Sequence, residues 1–409
     1  MTFELFVAGR YLRARRKEKV ISVITVISIA GVAAGVMALI ISLAVNNGFR
    51  NTLQNNLLAA TAHVNVLTKE TAGPGIADWK ALDAKLLLIP HVTAVSPVLY
   101  DETLITGSLR GKYATLKGIH VRDELATSET LRRLKTGSLS LLTDDDNGLP
   151  GIILGSKLAQ DTGLTVNSVA KVIGTETTPF GPRMREQRFR IAGTFETGFY
   201  EVDDTWAYVP IKSMQKLLSL DDVVNSIELR LDNIDLARQV AEQAERVAGP
   251  RYIATPWQEA NHDILQALQM ERAVTWITIG MIELVGALNI FITLTMIVLT
   301  KYKDIAVLMS MGARRRQIRR IFVAQGAMIG LVGTAIGLIA GYSLCYFANK
   351  YRLVPLNESV YQLSFMPFEP RAWDGLWIGG AAMTVSLLAT VYPARNATRI
   401  APVEVLRYE

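Results

Sequence analysis

The side chains that usually carry catalysis are few in this chain and badly spaced for it. His63, His91, His120 and His262 are scattered, with no pair at the interval a zinc site needs. Asp144 to Asp146, followed by Asn147 and Gly148, starts like a calcium loop. It lacks the later ligating Glu and reads as a solvated turn. Gly155-Ser156-Lys157 lacks P-loop spacing, and no G-x-S-x-G elbow occurs. Cys345 is the single cysteine, so no intrachain disulfide can form. The sequence therefore predicts no catalytic residue, no metal and no cofactor in this chain. If it takes part in work driven by ATP, another subunit must hydrolyse the nucleotide.

Other residues point to contact, packing and charge. Gly174 to Arg190 (GTETTPFGPRMREQRFR) places Pro179, Phe180, Gly181, Pro182 and Met184 in what reads as a loop too long for a tight hairpin. Exposed Phe and Met beside prolines suit a stiffened arm that inserts apolar anchors into a partner; the plainer reading is a loop folded back on its own domain. Lys301 to Arg320 (KYKDIAVLMSMGARRRQIRR) has an apolar face at Ile305, Leu308 and Met311, which Gly312 can end as a C-cap. Its cationic run can hold anionic headgroups, or its short helix can dock in the groove of a cytoplasmic partner. Gly326, Gly330, Gly333, Gly337 and Gly341 recur at three and four and share one helical face. In lipid such a face serves close helix packing, between subunits or within the chain. Glu283 lies inside an apolar block, where an acid must be paired, protonated or near water; structural pairing is preferred to a proton relay.

The elements that must position these residues are set by hydropathy. Of 409 residues, 50% are hydrophobic and only 20% charged. The mean hydropathy of +0.25 is high for a soluble chain. Disorder, collagen-like structure and a disulfide scaffold are excluded. Four stretches can cross a bilayer: 20–45, 273–300, 321–348 and 375–392. The first is too long for the apolar core of a signal peptide and reads as an uncleaved anchor. The net charge of +6 gathers beside these blocks, at 1–19, 301–320 and 393–409, and signals topology rather than nucleic-acid binding. Both termini and the loop 301–320 are then cytoplasmic, with 46–272 and 349–374 outside.

The long insertion reads as mixed α/β. A strand (His63 to Thr68), a helix (Ala77 to Leu88) and a strand (Val92 to Leu99) recur as Ser226 to Leu231, Ile234 to Ala248 and Tyr252 to Thr255. These make two βαβ halves, about 60–99 and 225–256, flanking a β-rich insert at about 100–211. Trp257, Ala260, Asn261, Ile264, Leu265 and Leu268 keep helical spacing with no Gly or Pro before the second span. One long helix could thus run from the outer domain into the membrane and carry motion between them.

Leu284 to Ile318 (LVGALNIFITLTMIVLTKYKDIAVLMSMGARRRQI) and Tyr392 to Glu409 (YPARNATRIAPVEVLRYE), with the one-plus-three arrangement of spans, resemble the permease family that includes MacB, FtsX and the lipoprotein-release subunits LolC and LolE. The resemblance covers essentially the whole chain. It implies a four-helix membrane protein of MacB-like topology with a large periplasmic α/β domain, in the bacterial inner membrane. The unfused ATPase, the large outer domain and the TPFG segment favour a LolC-like or LolF-like member. The implied function is extraction of outer-membrane lipoproteins and their transfer to a periplasmic LolA-like carrier. Pro179, Phe180, Gly181 and Met184 would then form the carrier-binding hook, with Gln187 and Arg188 at its base. The coupling segment Lys303 to Ala313, with Asp304, Ile305, Leu308, Met311 and Gly312, would sit on a LolD-like ATPase that binds ATP and Mg. A second permease subunit, a LolE-like sibling or another copy, would complete the complex, with lipoproteins and membrane lipids as its other partners and no nucleic acid. The alternatives are an FtsX-like regulator of cell-wall hydrolases and a MacB-like efflux permease. Two positions depart from the family pattern: Glu283, where an apolar residue is usual, and Arg314, where a small polar residue commonly follows Gly-Ala.

Overall fold

The computed structural model describes residues 19–69, 75–132, 134–143, 148–178 and 181–397. The basic N-terminal segment through residue 18, the turn at Asp144 to Asn147, Pro179 with Phe180, and the terminal motif from residue 398 lie outside the described residues. Two compact units divide the chain. One comprises Met1–Arg50, Leu268–Val354 and Met366–Glu409, the other Asn51–Ala267 and Pro355–Phe365.

Four helices are long and apolar enough to cross a membrane, with most of their length in the first unit: Lys19–Ala60, His262–Thr300, Arg315–Lys350 and Ala372–Asn396. Each overruns its expected span, because helix formation does not stop where hydropathy does. Residues 51–60 (NTLQNNLLAA), for example, contain no Gly or Pro to end the first helix. The helices share a core of Val36, Leu39 and Ile40 from the first, Leu294 and Ile297 from the second, Phe322 and Ile329 from the third, and Ile378 from the fourth. Large apolar side chains such as Ile277, Leu284, Ile339 and Leu388 are exposed, as a lipid-facing surface requires. Two buried hydroxyls are satisfied by backbone: that of Ser28 donates to the Ile24 carbonyl of its own helix, and that of Ser386 to the Gly326 carbonyl of the third helix at 3.0 Å.

The second unit is built on one mixed sheet. Its strands are β1 (Val64–Thr68), β2 (Val92–Thr106), β3 (Gly111–Ile119), β4 (Leu134–Gly137), β5 (Gly151–Gly155), β6 (Val169–Thr178), β7 (Gly181–Phe195), β8 (Trp206–Pro210), β9 (Ser226–Leu231) and β10 (Tyr252–Pro256). The order is β10-β1-β9-β2-β3-β8-β5-β7-β4, with β6 paired to β2 and β7. Pairing is antiparallel except for β3–β8 and β5–β7. The split halves therefore interlock, β9 lying between β1 and β2. Their helices pack by one face. Ala237–Ala248 buries Ala237, Val240, Ala241 and Ala244, the i, i+3, i+4, i+7 stripe of a half-buried helix.

Two local readings of the sequence need correction. The strand read as ending at Leu99 continues to Thr106, because Asp101 and Glu102 break the apolar alternation without breaking the pairing to β3. The continuous helix read from Trp257 is interrupted. A short turn, Trp257–Ala260, precedes the long helix from His262, and at Asn261 the side-chain amide donates to the Trp257 carbonyl at 2.8 Å. Such a local bond competes with the helical ladder.

Candidate functional site

The segment 174–190 is a hairpin rather than a loop. Strands β6 and β7 stay in register from Val169 opposite Arg190 to Thr178 opposite Gly181. Their long ladder was hidden in the sequence by its prolines and glycines. The partner strand β2 reaches only to Ile173, and β5 joins β7 only from Arg190. Residues 175–178 and 181–184 thus pair only with each other, as an arm. Gly181 has φ +115°, a conformation L side chains rarely adopt, and a β carbon there would meet nothing within 4 Å. Met184 is 81% exposed.

Strand alternation sorts the remaining expected residues. Met184 and Arg188 share one face of β7. Gln187 lies on the other, with the fully buried Phe189. The arm is braced by Arg185 to Glu176 at 2.8 Å and Lys171 to Glu186 at 2.7 Å. The Arg185 hydrogen bond holds the Glu176 carboxyl below its ordinary range. Pro179 and Phe180, expected at the tip, lie outside the described residues.

The coupling segment forms a helix at Tyr302–Ser310 that Gly312 ends with φ +98°. Its expected apolar face is divided. Ile305 and Ala306 are buried in the core of the membrane unit, with Leu308 and Ala313 packed against it, whereas Met311 is 80% exposed. Lys303 and Asp304 are exposed, and Asp304 pairs with Lys301 at 3.0 Å. A run of apolar residues at helical spacing does not tell which end roots in its own core, so the sequence left this open.

Each of the five glycines on the third span faces another helix of this chain. A β carbon at Gly330 would lie 2.8 Å from Ser386 Cβ, at Gly333 2.7 Å from Val32 Cβ, at Gly337 2.6 Å from the Ala33 carbonyl, and at Gly341 3.0 Å from Ile40 Cβ. At Gly326 it would run into the Thr390 hydroxyl. Their small size is used by the first and fourth spans. Glu283, expected to be paired, makes no ion pair or hydrogen bond among the described residues and borders a small space beside Val32 and Gly35.

A buried ionic cluster in the outer unit was not foreseen. Lys117, 1% exposed, donates to Glu124 at 2.8 Å and to Glu228 at 3.0 Å. The Tyr100 hydroxyl donates to Glu228, and the Lys117 ammonium stands 5.6 Å from the ring centres of Tyr100 and Tyr208. Burial opposes the charge on Lys117, but Glu124 and Glu228 outweigh it and keep its pKa raised. Burial pushes Glu124 up to about 7, with Lys117 offsetting part of the rise. In the sequence, Lys117 is one of two lysines in GKYATLKGI, and no local signal distinguishes the buried one. His63 is structural: burial lowers its pKa to about 4, and its Nδ1 accepts from the Leu231 amide at 3.1 Å.

A MacB-like periplasmic core domain matches residues 25–247, and an FtsX-like permease C-terminal region matches 276–402. The architecture is that of a membrane permease with a periplasmic core domain inserted after its first span. The lipoprotein-releasing system transmembrane protein LolC of Xylella fastidiosa (strain Temecula1) is 35% identical over 411 residues, covering 98% of this chain and 97% of the relative. LolC of Neisseria meningitidis serogroup B is 30% identical over 427 residues, covering 100% of each chain. LolE of Haemophilus influenzae is 27% identical over 426 residues, covering 99% of each. The chain belongs to the LolC/LolE family of lipoprotein-releasing system transmembrane proteins.

Proposed function

We propose that this chain is a permease subunit that extracts outer-membrane lipoproteins from the inner membrane and hands them to a soluble periplasmic carrier. The observation that carries this reading is the likeness to proteins named as lipoprotein-releasing, which runs end to end at 35% identity over 98% of the chain. ATP and Mg belong to a separate ATPase subunit in this reading, and the chain supplies no catalytic group. The clustering of basic residues at the inner ends of the spans supports cytoplasmic termini.

The geometry supports a division of labour. The arm of β6 and β7 is stiffened by its own ladder, so little ordering entropy is lost when Phe180 and Met184 enter a pocket on the carrier. Gln187 and Arg188, toward the base of the arm, contact the rim. The Met311–Gly312 turn meets the ATPase, and Ile305 and Ala306 root it in the membrane core, so a push on the turn moves the spans. His262–Thr300 is helical without interruption for roughly 58 Å and carries that displacement outward. A space of about 340 Å³ lined by Gly31, Gly35, Met281, Ile282 and Val285 suits lipid chains entering between the first two spans and those of a second permease subunit.

The test is reconstitution of the chain with its ATPase and a triacylated lipoprotein in proteoliposomes, followed by transfer to soluble carrier. Transfer that requires ATP and is lost in Phe180→Asp/Met184→Asp is expected. A complex that hydrolyses ATP normally but never releases lipoprotein would overturn the reading and favour a regulatory or efflux role.

A further inference from the structure

The exposed face of the helix Arg315–Lys350 changes character near its C-terminal end. Val332, Ile336, Ile339, Ser343, Tyr346 and Lys350 follow one another at helical spacing, and all are exposed. Gly333, Gly337, Gly341, Cys345 and Ala348 are buried on another face. The exposed stripe begins with aliphatic side chains, as a surface against hydrocarbon requires. It ends in aromatic rings and one ammonium group.

Neighbouring helices of the same unit set the level of that change. Trp276 of the second helix and Trp377 of the fourth pair with ring centres 5.8 Å apart, the pattern of an aromatic belt at the edge of the hydrocarbon. The Tyr342 hydroxyl donates to the Arg371 carbonyl at 2.7 Å and accepts from the Gly375 amide at 3.1 Å. Tyr342 therefore stands beside the start of the fourth helix, at the level of this belt. Tyr346 lies one turn further from the hydrocarbon, about 6 Å along the helix axis. A headgroup layer is about 5–8 Å deep, so Tyr346 falls within it.

The groups at this level form one cluster. Tyr346 and Phe347 meet edge to face, and Phe347 stacks on Tyr351 with ring centres 6.4 Å apart. All three rings are at least half exposed, an unusual surface to leave against water. Helical side chains lean toward the N-terminus, which brings Lys350 back toward the membrane. Its ammonium stands 5.9 Å from the ring centres of both Tyr346 and Tyr351. Among the described residues the ammonium has no carboxylate partner, and the two tyrosine hydroxyls make no hydrogen bond. A cation held over aromatic rings, with two O–H donors beside it, suits a phosphate group.

We propose that Tyr346, Lys350 and Tyr351 bind the phosphate of an anionic phospholipid in the leaflet at this end of the helix. The ammonium pairs with the phosphate, the hydroxyls donate to its oxygens, and the acyl chains lie along Ile336 and Ile339. The occupant is a lipid because the site continues the hydrocarbon-facing stripe without a break and stands at headgroup level. An anionic headgroup is preferred to a zwitterionic one, whose own ammonium would face Lys350. This site is independent of the lipoprotein reading, and its test uses neither ATP nor lipoprotein.

The full-length chain is placed in nanodiscs of phosphatidylcholine with a trace of phosphatidylglycerol that carries a photoreactive group beside its phosphate. After illumination, labelled peptides are quantified by mass spectrometry. Labelling is expected in 343–354 and also around the exposed Trp373, where lipid lies against the fourth helix. Lys350→Gln should lower the labelling of 343–354 about fivefold, the weight of one basic side chain at a membrane surface, and leave that at Trp373 unchanged. Tyr346→Phe/Tyr351→Phe, which keeps the rings, should lower it as well, and melting curves check that each variant is folded. Excess phosphatidylglycerol should compete with the probe, and glycerol phosphate should not. The proposal is overturned by equal labelling of the parent and Lys350→Gln, or by an equal fall at Trp373. It is also overturned if a matching phosphatidylcholine probe labels 343–354 as strongly, or if glycerol phosphate competes as well as the lipid.

Discussion

Replacing Lys117 by Met tests the ionic cluster under the sheet. The methionine keeps most of the aliphatic volume and removes one charge. Lys117, Glu124 and Glu228 are 1%, 0% and 2% exposed, so water cannot take over from the lost ammonium. Glu228 keeps the Tyr100 hydroxyl, whereas Glu124 Oε2 already lacks a partner. Breaking a buried pair from one side costs about 3–5 kcal/mol, because the remaining charge is stranded. For a unit of this size each kcal/mol lowers Tm by roughly 2–4 °C, so a loss of roughly 6–20 °C is expected. Thermal melting of the full chain in detergent, followed by intrinsic fluorescence, measures it. The loss should be smaller at pH 5 than at pH 8, since protonating the stranded carboxylates removes their charge. Lys117→Met/Glu124→Gln/Glu228→Gln should recover most of it. A single variant melting within about 2 °C of the parent at pH 8 would refute the argument, given that intervals larger than this follow from one buried charge pair.

Three further outcomes follow from the geometry. Glu124 is raised from 4.5 to about 7, so the folded state holds its proton more tightly than the unfolded chain. The stabilisation from this proton is full below pH 4.5 and is lost as pH rises through about 7. Glu124→Gln should flatten that part of the stability–pH curve, and an unchanged slope would contradict the assignment. Gly337→Ala should cost about 1–3 kcal/mol in denaturant unfolding, because its β carbon would stand 2.6 Å from the Ala33 carbonyl. Gly380→Ala, with nothing within 4 Å of the added carbon, should cost nothing; equal effects would sink the packing argument. Met184→Asp should leave melting unchanged, as the side chain is 81% exposed, and should lower carrier capture at least tenfold in a pull-down if the arm is the docking element.

The sequence by itself determined the four spans, since transfer into hydrocarbon is decided by about twenty neighbouring residues and needs no tertiary partner. It also determined the alternating strands and helices of the interlocked halves, and the glycine face of the third span, all of them periodic in local sequence. It could not separate Ile305, rooted in the membrane core, from Met311, left open, because both fit the same helical stripe. Nor did it find the ladder of β6 and β7, where prolines and glycines mask the strand pattern. Only the tertiary structure decided which strands lie side by side. That order brings Lys117 to Glu228, 111 residues away. Such meetings depend on register between distant segments, and register is fixed by the packing of the whole sheet.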